Sequence, residues 1–222
     1  SFVQGDIMTL GACLGLTFYS VFGLPFWLSL VLTMLVAFLF GVAFQKGAIQ
    51  KLQDRNVLSI YIVLATIAVS YIVQNGVQLI WGTVTLYFPS IFQKPTISIL
   101  GITVIQKEVI LCVILSTIIM FLLHFFMTRT KLGTAMRASS MDADAAESCG
   151  IDVSLTTGLT WGLAAGLAAM AGMLVGPIYG VYSTLGSTIG KKGFAGAVVG
   201  GYGNMYGAML GGLLLGLTEI LV

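Results

Sequence analysis

Apolar positions in this chain come in long runs, and the polar residues fall between the runs instead of alternating with them. Runs close to the ~20 residues that span a bilayer as a helix can be marked directly. Ile7 to Phe22 is short and is punctuated by Gly23 and Pro25. Pro25 to Phe44 follows at once, so these two predict a tight helical hairpin. Val57 to Trp81, Val109 to Met127 and Leu155 to Tyr182 are the third, fourth and fifth runs. Pro177 is placed to kink or end the last of them. Met205 to Val222 is the sixth. Before it, Phe194 to Val199 is apolar but too short to cross, bounded by Lys191-Lys192-Gly193 and by Gly200-Gly201-Tyr202-Gly203-Asn204. That pattern predicts a half-helix or re-entrant segment, because irregular backbone at membrane depth persists only where protein or a water-filled cavity covers it.

The polar segments between the runs differ in charge. Gln45 to Asn56 carries Lys46, Lys51 and Arg55, and Thr128 to Ser154 carries Arg129, Lys131 and Arg137. Gly82 to Lys107 carries Lys94 and Lys107, and Ser183 to Lys192 carries Lys191 and Lys192. The first pair of loops holds six basic residues against four in the second, which puts the first pair in the cytoplasm. Within 82–107, the β-branched stretch from Pro95 to Ile105 turns at Gly101 and reads as a small extracytoplasmic hairpin, a lid over helix ends or a contact surface.

Composition agrees and narrows the class. Of 222 residues, 58% are hydrophobic and 8% charged, where a soluble domain carries roughly 25% charged. Mean hydropathy is +1.03. Soluble enzymes, disordered regions and nucleic-acid binders are excluded, and an all-α polytopic membrane bundle is expected. The net charge of +2 is too small to imply an acidic partner. Cys13, Cys112 and Cys149 lie far apart without metal or redox spacing, so free thiols and no metal site are expected. The chain starts at Ser1 without a basic n-region and stops at Val222 inside an apolar run, and so reads as a piece of a longer chain.

The most polar part, 129–154, holds four of the eight acids, with Asp142, Asp144 and Glu147 clustered ahead of Asp152. Thr134 to Ser139 favours one short helix and Asp142 to Ser148 a second. Ser140 or Asp142 would be its N-cap and Gly150 its end. Asp152 or Ser154 can cap the membrane helix that follows. Such a pair either docks into a groove of another protein or is a solvated connector.

This segment also carries a resemblance. Arg137-Ala138, Asp142 to Glu147 with Ala145-Ala146, and Gly150-Ile151-Asp152-Val153 resemble the coupling loop of bacterial branched-chain amino acid ABC transporter permeases. Phe2-Val3-Gln4-Gly5-Asp6 with Leu10-Gly11-Ala12 resembles a segment of that family's H-type subunit, with Val3-Gln4 in place of the usual Ala-His. Gly193-Phe194, Val198 to Asn204, Gly207 to Gly212, Gly216 and Glu219 resemble its glycine-rich C-terminal block. The family's first and last membrane spans have no counterpart here.

The resemblance implies a type II ABC importer-like fold, with 1–222 as a single permease domain. It implies branched-chain or hydrophobic amino acids as cargo in the bacterial inner membrane. The implied partners are a second permease subunit, two cytoplasmic ATP-binding subunits and a periplasmic or lipid-anchored substrate-binding protein. It assigns ATPase coupling to Arg137, Ala138, Asp142, Ala145, Ala146, Glu147, Gly150 and Ile151. The chain lacks Gly-x-x-x-x-Gly-Lys-Ser/Thr, so no enzymatic activity and no cofactor of its own are expected, ATP-Mg sitting on the partners. Two alternatives stay open: the same machinery for urea, amides or a pentose, and a stand-alone channel or secondary transporter. No ionisable residue occupies the middles of the third, fourth and fifth runs, which disfavours ion coupling.

Glycines and isolated charges supply the remaining candidates. Gly158, Gly162 and Gly166 repeat every four residues, as do Gly172, Gly176 and Gly180, and Gly203, Gly207 and Gly211. Each set gives a smooth face for close packing or for sliding. Gly200, Gly201, Gly203 and Asn204 form a candidate translocation site if exposed backbone groups there hold a charged substrate, or a purely structural break. Asp6 is expected to cap the helix from Ile7, and Glu219 to cap or to pair inside the bundle. His124 reads as an interfacial or core residue. Trp27, Trp81, Tyr87 and Trp161 read as interface-belt residues.

Overall fold

A computed structural model describes residues 3–53, 59–89, 96–99, 103–201 and 203–221. Its helices are α1 (Val3–Leu16), α2 (Phe26–Phe44), α3 (Gln50–Gln53), α4 (Ser59–Trp81), α5 (Lys107–Arg129), α6 (Lys131–Met141), α7 (Ala143–Ser148), α8 (Val153–Tyr179), α9 (Leu185–Val199) and α10 (Met205–Leu221). The predicted hairpin forms from β1 (Thr96–Ile99) and β2 (Thr103–Gln106), antiparallel with Thr96 opposite Gln106. The protein is an all-α polytopic bundle with this one small hairpin.

Among the described residues four helices are long and apolar enough to cross a membrane: Phe26–Leu52, Ile60–Trp81, Lys107–Arg129 and Val153–Tyr179. The first run, short in the sequence, and the sixth form shorter helices among the described residues. The first run becomes the 14-residue α1 followed by a π-helical turn at Thr17–Val21. The sixth becomes the 17-residue α10. The stretch from Gln45 is also not a loop at its start. Helix α2 continues through a π-helical turn at Gln45–Ile49 into α3.

Helix α8 is the hub; half of its apolar window is buried, against none of α5. Lipid is as apolar as leucine, so helices associate through close packing and not through hydrophobic transfer. Small residues on α8 make that packing possible. A Cβ on Gly162 would stand 2.7 Å from Val42 Cγ2, and one on Gly166 3.3 Å from Met34 Cγ, so this stripe faces α2. A second face, Ala169 and Gly172, takes α1 through Gly11 and the backbone at Met8, while Ala165 meets Gly41 of α2. Helices α1 and α2 are therefore neighbours that each pack chiefly on α8, not the simple hairpin expected. Gly180 leaves its predicted stripe: it ends α8 with φ +77°. Pro177 sits inside the final turn of α8, just before that end.

Helices α4 and α9 complete the surround of α1. The Trp81 indole N–H donates to Thr17 Oγ1 (2.8 Å), and the Gly186 N–H donates to Thr9 Oγ1 (2.9 Å). At the same end Leu86 and Val181 exchange backbone hydrogen bonds of 2.8 and 2.7 Å, tying the segment after α4 to the segment after α8. Trp161 packs edge-on against Phe44 inside the bundle, so it is not a belt residue.

Candidate functional site

The polar knuckle at one end of the bundle is built by local capping. Thr130 Oγ1 accepts from the Gly133 N–H (3.0 Å) and donates to the Phe126 carbonyl (2.7 Å), turning α5 sharply into α6. A Cβ on Gly133 would lie 2.6 Å from Met127 Cα, so the turn requires glycine. Asp142 serves both short helices. Its N–H donates to Ala138 O, closing α6, and its Oδ1 accepts from the Ala145 N–H (3.0 Å), opening α7. Gly150 ends α7 with φ +82°, a conformation cheap only for glycine. Ile151 N–H then bonds the Ala146 carbonyl. Asp152 Oδ1 accepts from the Leu155 N–H (2.9 Å) and starts α8.

The knuckle is fixed to the hub. Ser139 Oγ lies 3.0 Å from Thr156 Oγ1, joining α6 to the first turn of α8. Met136 and Ala146 are buried beneath it. Of the residues assigned to coupling, Arg137, Asp142, Ala145, Glu147 and Gly150 are exposed, Ala138 and Ile151 half-buried, and Ala146 buried. An open cleft of ≈ 410 Å³ runs beside them, lined by Arg129, Thr130, Lys131, Thr134, Ala135, Ala138 and Ile151. Two apolar side chains that sequence reasoning missed complete the surface. Met141 is 87% exposed and Leu132 48%, in the most polar region of the chain. Exposed apolar groups within a polar rim mark interaction surfaces. Their signal was present in the sequence as apolar residues at the ends of a short polar helix.

The glycine-rich break is the turn of a second helical hairpin. The expected short segment from Phe194 is the end of the 15-residue α9, and Lys191 and Lys192, expected in a loop, lie inside that helix. Lysine is a good helix former, and the small residues of α9 allow it to press on α1. Gly200 closes α9; Gly201 and Gly203 have φ +93° and +87°. Asn204 Oδ1 accepts from the N–H groups of Tyr206 (3.1 Å) and Gly207 (3.2 Å), so this side chain caps α10. Gly207 packs on Gly200, and Gly211 on Gly196 and Gly200, within the hairpin. The Tyr206 ring lies 5.1 Å from the His124 ring, which places the turn beside the last part of α5. The remaining packing candidates separate: Gly172 meets α1, while Gly176 meets Phe88 after α4.

Asp6 is not a helix cap. It lies in the first turn of α1, 3% exposed, and accepts a hydrogen bond from the Ser70 hydroxyl of α4. Among the described residues its Oδ1 has no partner. Glu219 pairs with Lys192 of α9.

The arrangement is a multi-pass bundle with a helix-capped knuckle at one end. Comparison with curated proteins and with solved structures returns no significant match. One family, described as branched-chain amino acid transport system / permease component, matches residues 1–222. The match spans the whole of the sequence, and the chain belongs to that branched-chain amino acid transport permease family.

Proposed function

We propose that this chain is the membrane-spanning subunit of a binding-protein-dependent ABC importer for branched-chain and related hydrophobic amino acids, in a bacterial cytoplasmic membrane. The observation that carries this is the α6–α7 knuckle, on which Met141 and Ala145 are exposed and whose base is bonded to α8. In this reading the knuckle inserts into a groove of a cytoplasmic ATPase. ATP-driven closure of two such ATPases pushes α6 and α7. The Ser139–Thr156 contact passes the displacement to α8, which shifts against α1 and α2 on its glycine and alanine faces. A second permease subunit supplies the other half of the pathway, and a binding protein delivers cargo at the end that carries the β-hairpin. ATP-Mg is held by the partners, and this chain performs no covalent chemistry.

Cys149 tests the docking directly, since its thiol is exposed beside α7. In membranes holding the whole assembly, Cys149 is expected to form a disulfide with an ATPase carrying a cysteine at the rim of its docking groove. The bond should weaken when ATP changes the groove. Cross-linking to the binding protein instead, or to no ATPase position across the groove, would contradict the proposal.

A further inference from the structure

Helix α9 carries two lysines, Lys191 and Lys192. A Cβ on Gly190 would stand 3.0 Å from Gly5 Cα, so α9 crosses α1 at this level. The adjacent Asp6 bonds Ser70, which lies at the midpoint of α4 (Ser59–Trp81). Lys191 and Lys192 follow Gly190 directly and therefore lie near mid-depth. Lys192 pairs with Glu219 of α10, their side chains 51% and 53% exposed. Phe194 and Val198 of α9 and Leu214 and Leu217 of α10, the two helices that carry the pair, are exposed and apolar. A pair of charges at this depth is costly against hydrocarbon and so is expected to face other protein, a polar pathway or a polar ligand.

The pair borders an open cleft of ≈ 410 Å³, lined by Lys192, Leu215, Thr218 and Glu219. That volume is at the small end of ligand sites. We propose that this cleft is a subsite for an amino acid zwitterion, an inference that rests on the amino acid import reading. Lys192 Nζ receives the α-carboxylate, Glu219 the α-ammonium, and Leu215 packs against the apolar side chain. Thr218 Oγ1, which donates to the Leu215 carbonyl (2.9 Å), has acceptor capacity left for the ammonium. Without cargo, the two protein charges neutralise each other. With cargo, one ion pair is exchanged for two and the net charge does not change. Such an exchange is close to balanced, which suits a permease that must release what it binds.

The test uses the complete assembly in proteoliposomes with its ATPases and loaded binding protein. Lys192→Met and Glu219→Gln are each expected to cut leucine uptake by about tenfold or more, the loss of one charged contact, while the assembly is still recovered. Lys192→Glu combined with Glu219→Lys restores an ion pair but reverses the polarity of the site, so uptake should stay low. Uptake within about twofold of wild type in the single variants, or restored by the reversed pair, would show a structural strut and overturn the subsite. A second readout uses Thr218→Cys with the native cysteines replaced. Leucine should slow alkylation at position 218, whereas leucine amide and 4-methylpentanoate, each lacking one charge, should not. Leucine import without this protection would overturn the subsite alone. A wild-type assembly that imports urea or ribose and ignores leucine would overturn the cargo reading and the subsite with it.

Discussion

Ala145→Arg is expected to abolish ATP-driven uptake while leaving the protein inserted and folded. Ala145 lies in the first turn of α7 with its side chain exposed, so a long cation there meets no neighbour inside the subunit. Its N–H still reaches Asp142 Oδ1, and α7 is still capped. What changes is the outer face, which in the proposed assembly enters a partner groove. A bulky charge in a fitted interface costs about 2 kcal/mol or more, roughly a thirtyfold loss of productive docking. Two measurements together decide the matter. Recovery of the ATPase with the permease should fall, and the thermal melting of the permease in detergent should stay within a degree or two of wild type. Normal uptake with Ala145→Arg would remove the knuckle from the coupling path.

The second large effect is on the fold. Gly172→Ala adds a single carbon where α8 touches α1 most closely. That carbon would collide with the Met8 carbonyl oxygen and lie 3.1 Å from the Ala12 nitrogen, wedging into a hydrogen bond of α1 itself. Neither neighbour is a side chain that can swing away, so the helices must part. Overpacking of this kind costs about 1–3 kcal/mol and, for a chain of this size, lowers the melting temperature by roughly 2–4 °C per kcal/mol. Gly216→Ala is the control. Nothing lies within 4 Å of a Cβ there, and the change should move stability by no more than about 1 kcal/mol through helix propensity. Equal effects at the two positions would mean that α1 and α8 do not pack as described.

Features set by neighbouring residues were readable along the chain. The caps at Asp142 and Asp152, the stop at Gly150 and the pairing of β1 with β2 all depend on contacts within a few residues, and turn chemistry identifies them, the expected turn residue Gly101 itself lying outside the described residues. The Gly158, Gly162 and Gly166 stripe was readable because it shares the period of the helix it lies on. The misreadings have a common cause. Asp6 looks like a cap because it precedes an apolar run, yet its partner Ser70 is 64 residues away. Lys191 and Lys192 look like loop residues because they interrupt apolar sequence, yet Lys192 is answered by Glu219, 27 residues on. A one-dimensional pattern prices a charge against its immediate neighbours, and within a bundle the compensation comes from another helix. Met141 and Leu132 escaped for the opposite reason. Their exposure is decided by which side of α6 packs on the hub, which its short sequence does not specify.

The central claim, that this permease moves amino acids under the drive of partner ATPases, is tested most directly by radiolabelled leucine uptake into vesicles containing the full assembly. Uptake would be followed with and without ATP and with and without the binding protein, against urea and ribose as competitors. The account predicts uptake that requires both ATP and binding protein and that neither competitor reduces. Leucine entry without ATP, or an ATP-dependent assembly that carries urea or ribose and leaves leucine outside, would contradict it.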